Sequence, residues 1–131
     1  MRLFGRALAV LSLLVAWAPA QAGPDPAHGE QVYGRCLACH DLARDRVGPR
    51  HCGLFGRRAG SVPGFVYSPA MKGAEIVWNA ATLDRFLAAP MKVMPGTAMT
   101  YDGIADPGER ADLIAWLEQA SRSHECRAVP R

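Results

Sequence analysis

The chain has 131 residues, half of them hydrophobic, with 15 Lys and Arg against 12 Asp and Glu. This length fits a single domain and excludes a multidomain enzyme. The net charge of +3 is too small for the strongly basic footprint of a nucleic-acid-binding protein.

Residues 1–22 have the three-part organisation of a secretory signal peptide. Arg2 and Arg6 provide the positive start, an apolar stretch follows, and Ala20-Gln21-Ala22 is a small-x-small cleavage site. The apolar stretch is shorter than the ~20 residues needed to cross a bilayer, so an uncleaved membrane anchor is the weaker interpretation. We expect cleavage after Ala22 and a periplasmic protein of residues 23–131, a single domain with a short tail from about residue 122.

The first predicted helix begins with Asp25 as N-cap and Pro26 as its first residue, and runs to about Ala38. At its end lies Cys36-Leu37-Ala38-Cys39-His40, the C-x-x-C-H attachment motif of c-type haem. The two thiols must be a helical turn apart to bond to both vinyl groups of one porphyrin. The next residue, His40, is then carried under the ring as the proximal iron ligand.

Two other uses of a C-x-x-C pair fit the sequence less well. A thioredoxin-type redox pair opens a helix after a strand, but no β-branched run precedes Cys36. A zinc site needs a second C-x-x-C pair or an H-x-x-x-H partner, and the sequence contains neither. Haem attachment through Cys36 and Cys39 is therefore the favoured interpretation.

Residues 41–68 are rich in Gly, Arg and turn residues, and we predict an ordered loop that surrounds a cofactor. Three further helices follow. The first starts at Ser68-Pro69 and ends near Gly73; the second runs from Ala80 to Ala89, capped by Asn79 and stopped by Pro90; the third runs from Asp106 to about Ser121. Because no stretch alternates as a strand does, the predicted fold class is all-α.

The predicted loop over residues 90–103 contains the best candidate for a second axial ligand. Pro95 and Gly96 form a turn that can hold a sulfur at a fixed distance. On the residues alone, Met99 is favoured over Met94, and each could instead be a core methionine. The other candidates are His28, His51, His124, Met71 and Met91.

Taken together, these residues resemble the class I c-type cytochromes, specifically the branch that holds mitochondrial cytochrome c and bacterial cytochromes c2 and c550. The similarity extends from about Gly29 to Ala120, and the motifs occur in the family's order, which makes the match specific. The motifs are Gly29-x-x-x-Tyr33, the C-x-x-C-H sequence, Gly48-Pro49, Gly53-Leu54-Phe55-Gly56-Arg57, Gly64-Phe65-x-Tyr67-Ser68, Trp78, Thr82-Leu83-x-x-Phe86-Leu87-x-x-Pro90, Pro95-Gly96-Thr97-x-Met99 and Asp112-Leu113-Ile114-Ala115-Trp116-Leu117.

The resemblance implies a small all-α fold in which the N- and C-terminal helices cross and one covalently bound haem c is enclosed. It makes His40 the proximal and Met99 the distal iron ligand. It also implies that the Pro49 carbonyl accepts the imidazole N–H of His40, a bond that orients the ring. Gly29 would let the first helix approach the last one closely.

Further residues acquire cofactor contacts through the same resemblance. Tyr67, Trp78 and Arg57 would contact the haem propionates, and Thr97 would help to close the methionine loop. Phe86 departs from the family because most relatives have a tyrosine there.

The surface around the haem edge, which is rich in lysine in the family, has few basic residues in this chain. Arg35, Arg46 and Lys92 fit near the haem edge, but Ala98 and Ala105 replace lysines that are common in relatives. We therefore expect docking that depends less on salt than in a lysine-ringed carrier.

Cys52 and Cys126 lie outside the family pattern. Both would be oxidised after export, and we predict a disulfide between them that holds the C-terminal tail. Two free thiols or an intermolecular bridge are the alternatives.

The expected function is that of a soluble, monomeric periplasmic electron carrier without enzymatic activity, which neither binds nucleic acid nor spans a membrane. By resemblance, its donor is a quinol–cytochrome c reductase or a periplasmic dehydrogenase, and its acceptor a terminal oxidase or a photosynthetic reaction centre. A dedicated electron acceptor of one dehydrogenase is the main alternative. A haem peroxidase or a haem-based sensor requires an open iron site, which Met99 would block.

Overall fold

The computed structural model describes residues 22–130, so the predicted signal peptide lies outside the described residues except for Ala22. Within residues 22–130, β-structure is limited to one bridge between Arg58 and Val77, and the all-α class is confirmed. The α-helices are α1 (Pro26–Tyr33), α2 (Pro69–Gly73), α3 (Ala80–Ala88), α4 (Pro90–Val93), α5 (Pro107–Ala120) and α6 (His124–Arg127).

The longer helices begin where side chains can accept hydrogen bonds from otherwise unpaired backbone amides. The Asp25 carboxylate accepts from the Ala27 amide, and the Asp106 carboxylate accepts from the Glu109 amide. Asn79 forms a reciprocal capping box, in which its side chain accepts from the Thr82 amide and Thr82 accepts from the Asn79 amide. These caps explain why the predicted starts of α1, α3 and α5 agree with the structure.

The predicted end of the first helix was wrong, and so was the start of the predicted loop over residues 90–103. The first α-helix ends at Tyr33 and continues as a 3₁₀ turn over Gly34–Cys36, so regular helix does not extend to Ala38. Pro90 ends α3 but also starts α4, because a proline at the first helical position loses no hydrogen bond. The predicted tail likewise contains the short helix α6.

The closest packing in the fold is the crossing of α1 and α5. A Cβ added to Gly29 would overlap the carbonyl oxygen of Asp112 and lie 2.9 Å from Cβ of Trp116. One turn further along α1, the rings of Tyr33 and Trp116 pack with centroids 4.4 Å apart. The two ends of the folded chain are thereby joined.

Residues 37–68, between the 3₁₀ turn and α2, contain no helix. Backbone hydrogen bonds attach this segment to the strand-like residues before α3. The Gly56 amide donates to the Trp78 carbonyl at 2.8 Å, and the Trp78 amide donates to the Arg57 carbonyl at 2.9 Å. The Ala59 amide donates to the Ile76 carbonyl at 2.8 Å. These bonds hold the loop in a defined path around the interior. No helix within residues 22–130 is both long and apolar enough to cross a bilayer.

Replacing Gly29 with alanine tests the helix crossing. The added methyl group would force α1 and α5 apart, and overpacking of this kind lowers the free energy of unfolding by about 1–3 kcal/mol. Gly34→Ala is the matched control, because a Cβ at Gly34 meets nothing within 4 Å and its helical φ of −50° suits alanine. Guanidinium unfolding curves of both variants measure the difference; equal stabilities would contradict the close approach.

Candidate functional site

The nine residues predicted to bind the cofactor or its iron line one cavity of about 390 Å³. This volume lies in the range of small-molecule and cofactor sites. The other lining side chains are mainly apolar and come from α1, α3, α5 and the loops between them. The nine residues are Cys36, Cys39, His40, Pro49, Arg57, Tyr67, Trp78, Thr97 and Met99.

The His40 imidazole is buried and has a defined tautomer. Its Nδ1 lies 2.8 Å from the carbonyl oxygen of Pro49, and because a carbonyl can only accept, Nδ1 carries the proton. Burial lowers the pKa of His40, and the bond to Pro49 opposes this shift. The neutral ring therefore has the lone pair of Nε2 available, as a metal-binding histidine requires.

The two cysteines of the motif are placed on one tight turn. The amides of Cys39 and His40 donate to the Cys36 carbonyl at 3.0 and 2.8 Å. Burial raises the pKa of the Cys36 thiol to about 11. A thioredoxin-type pair needs a lowered thiol pKa for its nucleophilic cysteine, so the shift has the wrong direction for that chemistry.

The structure separates the methionine candidates. Met99 lines the cavity, and its amide donates to the Thr97 hydroxyl at 3.2 Å. Met94 is only 5% exposed and belongs to the hydrophobic core instead. Met71, in the middle of α2, also lines the cavity, whereas Met91 is 44% exposed. A thioether ligand can therefore come from Met99 or Met71.

The histidine alternatives occupy unsuitable places. The His51 ring stacks on His40 with centroids 4.4 Å apart, which leaves no space for a haem plane between the two rings. His28 lies on α1, where its Nδ1 is 2.8 Å from a carboxylate oxygen of Asp112. His124 is exposed on α6.

Arg57 supplies a positive charge at the cavity wall. Its guanidinium donates to the carbonyl oxygens of Cys52 and Arg50 at 2.9 and 3.0 Å. Burial lowers the pKa of Arg57, and none of the ion pairs found within residues 22–130 includes it. A buried cation without a protein carboxylate is complementary to an anionic group on a ligand.

Tyr67 and Trp78, which are expected to contact the propionates together with Arg57, also line the cavity. The Tyr67 hydroxyl accepts from the Val62 amide at 3.2 Å, and Trp78 is buried against Phe86 with ring centroids 5.2 Å apart. Taken together, two thiols on one turn, a neutral imidazole, a thioether and a buried guanidinium fit the chemistry of haem c.

Cys52 and Cys126 are brought together at the edge of this region. Their sulfur atoms lie in bonding contact, and their Cα atoms are 5.0 Å apart, within the range that a disulfide spans. The contact brings the C-terminal tail against the loop that follows Pro49.

Arg35 lines the cavity but is not available as a free charge. Its guanidinium makes two hydrogen bonds to the Glu109 carboxylate, at 2.8 and 2.6 Å. Glu109 lies in the first turn of α5, so this ion pair links the 3₁₀ turn after α1 to the start of α5. Arg46 donates to the Leu37 carbonyl at 2.7 Å.

One cavity residue has a position that the sequence does not reveal. His51 is a candidate axial ligand by sequence, whereas the structure places it against the face of His40 and 3.0 Å from the Tyr33 hydroxyl. No periodicity or motif signals such a contact.

Comparison with known proteins gives a consistent result. No family model matches the chain. A cytochrome c2 of Rhodomicrobium vannielii is 44% identical over 114 residues, which cover 84% of this chain and 91% of that protein. A cytochrome c of Chlamydomonas reinhardtii is 44% identical over 109 residues, which cover 80% of this chain and 96% of that protein. The solved structure of cytochrome cH from Methylobacterium extorquens is 40% identical, with a TM-score of 0.70, and the match covers 72% of this chain and 97% of that one.

Replacing Gly48 with alanine tests how closely the backbone holds His40. A Cβ there would overlap Cε1 of the His40 ring and lie 2.6 Å from both ring nitrogens. We expect the ring to leave the Pro49 carbonyl, the free energy of unfolding to fall by about 1–3 kcal/mol, and less of the purified protein to carry haem. Denaturation curves and the haem-to-protein absorbance ratio measure these effects.

The control is Gly73→Ala, because a Cβ at Gly73 meets nothing within 4 Å. If Gly48→Ala resembled this control in both measurements, the close contact between Gly48 and His40 would be disproved.

Proposed function

The chain belongs to the class I c-type cytochromes, in the branch of cytochromes c and c2, and from that premise we propose that it is a soluble periplasmic carrier of single electrons. One haem c would be bound covalently through Cys36 and Cys39, with His40 and Met99 as axial ligands. The proposal rests mainly on one observation: the oriented, neutral imidazole of His40 and the thioether of Met99 line the same cavity.

When bound, haem c supplies a one-electron couple of its iron, for which histidine and methionine ligation give a fairly positive potential. The protein's part is to hold the ligands still. Pro49 orients His40 through Nδ1, and Thr97 restrains the backbone of Met99. Arg57, Tyr67 and Trp78 would hold the propionates. Ligands restrained in this way would move little when the charge of the iron changes, so electron exchange would need little reorganisation.

The family transfers electrons and is not enzymatic. With both axial positions filled, the proposed site has no open coordination position for a substrate. Electrons would enter and leave at the cavity edge near Arg35 and residues 98–102, which line the mouth in part. A quinol–cytochrome c reductase or a dehydrogenase would be the donor, and a terminal oxidase or a reaction centre the acceptor.

One observation favours the second candidate, a dedicated acceptor of one periplasmic dehydrogenase. The edge has few unpaired cations because Glu109 neutralises Arg35. A carrier that serves several partners through electrostatic steering would need a more positive edge.

The visible spectrum of the oxidised protein tests the ligand assignment. We expect low-spin haem c with the weak sulfur-to-iron charge-transfer band. Met99→Leu should abolish this band, while Met71→Leu and Met94→Leu should retain it, because only Met99 would supply the sulfur. A high-spin spectrum of the unaltered protein would overturn the carrier proposal; loss of the band in Met71→Leu alone would transfer the assignment to Met71.

Intact-mass analysis tests the proposed Cys52–Cys126 disulfide. With Cys36 and Cys39 bonded to haem, alkylation in denaturant without reductant should add no label, and alkylation after reduction should add two. Two labels without reductant would disprove the bond. Closing a loop with a sequence separation of 74 should stabilise the fold by about 4 kcal/mol in the chain-entropy model, measured against the Cys52→Ser, Cys126→Ser double variant.

Turnover with purified partners separates the two carrier roles. A general carrier should be reduced by quinol–cytochrome c reductase, with a rate that falls less than about tenfold between low and physiological salt, since steering is weak. No reduction by the reductase, together with rapid reduction by a periplasmic dehydrogenase, would favour the dedicated role.

A further inference from the structure

A second imidazole lies on the His40 ring, and electron transfer as proposed above gives it no role. The centroids of the His40 and His51 rings are 4.4 Å apart, and the ring planes differ by 23°. This is a stacked contact between two aromatic faces, not a hydrogen bond.

The His51 ring is itself held from α1. Its Nδ1 lies 3.0 Å from the hydroxyl oxygen of Tyr33, and the two rings also meet edge to face, with centroids 5.7 Å apart. Tyr33 is 4% exposed and packs against Trp116 of α5. The hydroxyl is therefore fixed by the helix crossing.

The backbone of His51 is held as well. Its amide lies 3.2 and 3.1 Å from the carbonyl oxygens of Asp41 and Leu42, and its carbonyl accepts from the Leu54 amide at 3.0 Å. The next residue, Cys52, is in sulfur contact with Cys126. Both the main chain and the side chain of His51 are thus restrained.

We propose that His51 is a positioning residue that sets the plane of the His40 imidazole. The Pro49 carbonyl restrains the ring at Nδ1 only, so rotation of the ring plane is limited by the groups that lie against its faces. The Gly48 backbone is one such group, because it lies so close that an added Cβ would overlap the ring. The His51 ring is the other.

The plane of an axial imidazole matters because its π orbitals overlap with particular iron d orbitals. With haem bound, the direction of the His40 plane would influence how unpaired spin is distributed over the oxidised haem and would contribute to the potential of the couple. The inference rests on the proposed ligation by His40, and it adds the residue that orients the ligand.

Three variants distinguish the effect of an aromatic face stacked on His40 from the effect of a side chain that only fills the same space. His51→Phe keeps an aromatic face, and His51→Leu fills similar space without one. Tyr33→Phe removes the single oxygen that holds the His51 ring. His124→Leu is the control, because it removes an exposed imidazole from α6.

The measurements are the hyperfine-shifted haem-methyl resonances of the oxidised protein and its equilibrium constant for electron exchange with a reference couple. His51→Leu should change the spread of the methyl shifts and move the equilibrium constant about two- to tenfold, the range that an aromatic pair contact provides. Tyr33→Phe should change both in the same direction but less. His51→Phe keeps the aromatic face but loses the same hydrogen bond to Tyr33, so it should shift no more than Tyr33→Phe and less than His51→Leu. His124→Leu should stay near the unaltered protein.

The proposal is overturned if a low-spin His51→Leu variant has the same methyl shifts and equilibrium constant as the unaltered protein. It is also overturned if His51→Phe and His51→Leu change these quantities equally. If His51→Leu does not retain haem, an unchanged methyl pattern in Tyr33→Phe overturns it. An unaltered protein without a low-spin histidine-ligated spectrum would instead refute the proposed function, so the two failures are distinguishable.

Discussion

The contact between α1 and α5 at Gly29 is the constraint on which the other features depend. The backbone of α1 meets the Asp112 carbonyl there, and the Asp112 carboxylate accepts from the Asp25 amide at 2.7 Å. Because these helices are the two ends of the described fold, their crossing closes a frame around the cavity. The C-x-x-C-H sequence directly follows α1, so the crossing also determines where Cys36 and His40 lie.

A second set of constraints comes from the short segment between Gly48 and Arg57. Gly48 leaves space for the His40 ring, Pro49 accepts its N–H, and His51 covers its face. The Cys52 carbonyl then accepts from Arg57. Since α-helical residues use their carbonyls within the helix, a helix could not offer this many free acceptors. The absence of regular structure in this segment is therefore what lets it form the wall.

Local sequence signals were sufficient where local chemistry decides the structure. Asp25, Asn79 and Asp106 mark helix starts because each cap bonds within three residues of itself. Pro90 correctly indicated the end of α3 but not the start of α4, because the same residue can stop one helix and start another.

The remaining contacts join residues far apart in the chain, and no local pattern encodes them. Arg35 and Glu109 are 74 residues apart, and Tyr33 and His51 are 18 apart. The residues that the resemblance implied as cofactor contacts line one cavity, but the resemblance could not indicate His51, which is not part of the family motifs. The stacked pair follows only from the folded geometry.

The character of the cavity edge follows from how its cations are used. Arg35 is tied to Glu109 and Arg46 to a backbone carbonyl, while Val47 and Val66, which line the cavity, are 79% and 90% exposed. The Arg35–Glu109 pair has no net charge and produces a weak field beyond a Debye length of about 8 Å, whereas Arg46 keeps its charge because a carbonyl is neutral. A partner that docks at this edge would therefore meet few charges and a large share of apolar surface, whose contribution varies with area and fit more than with ionic strength.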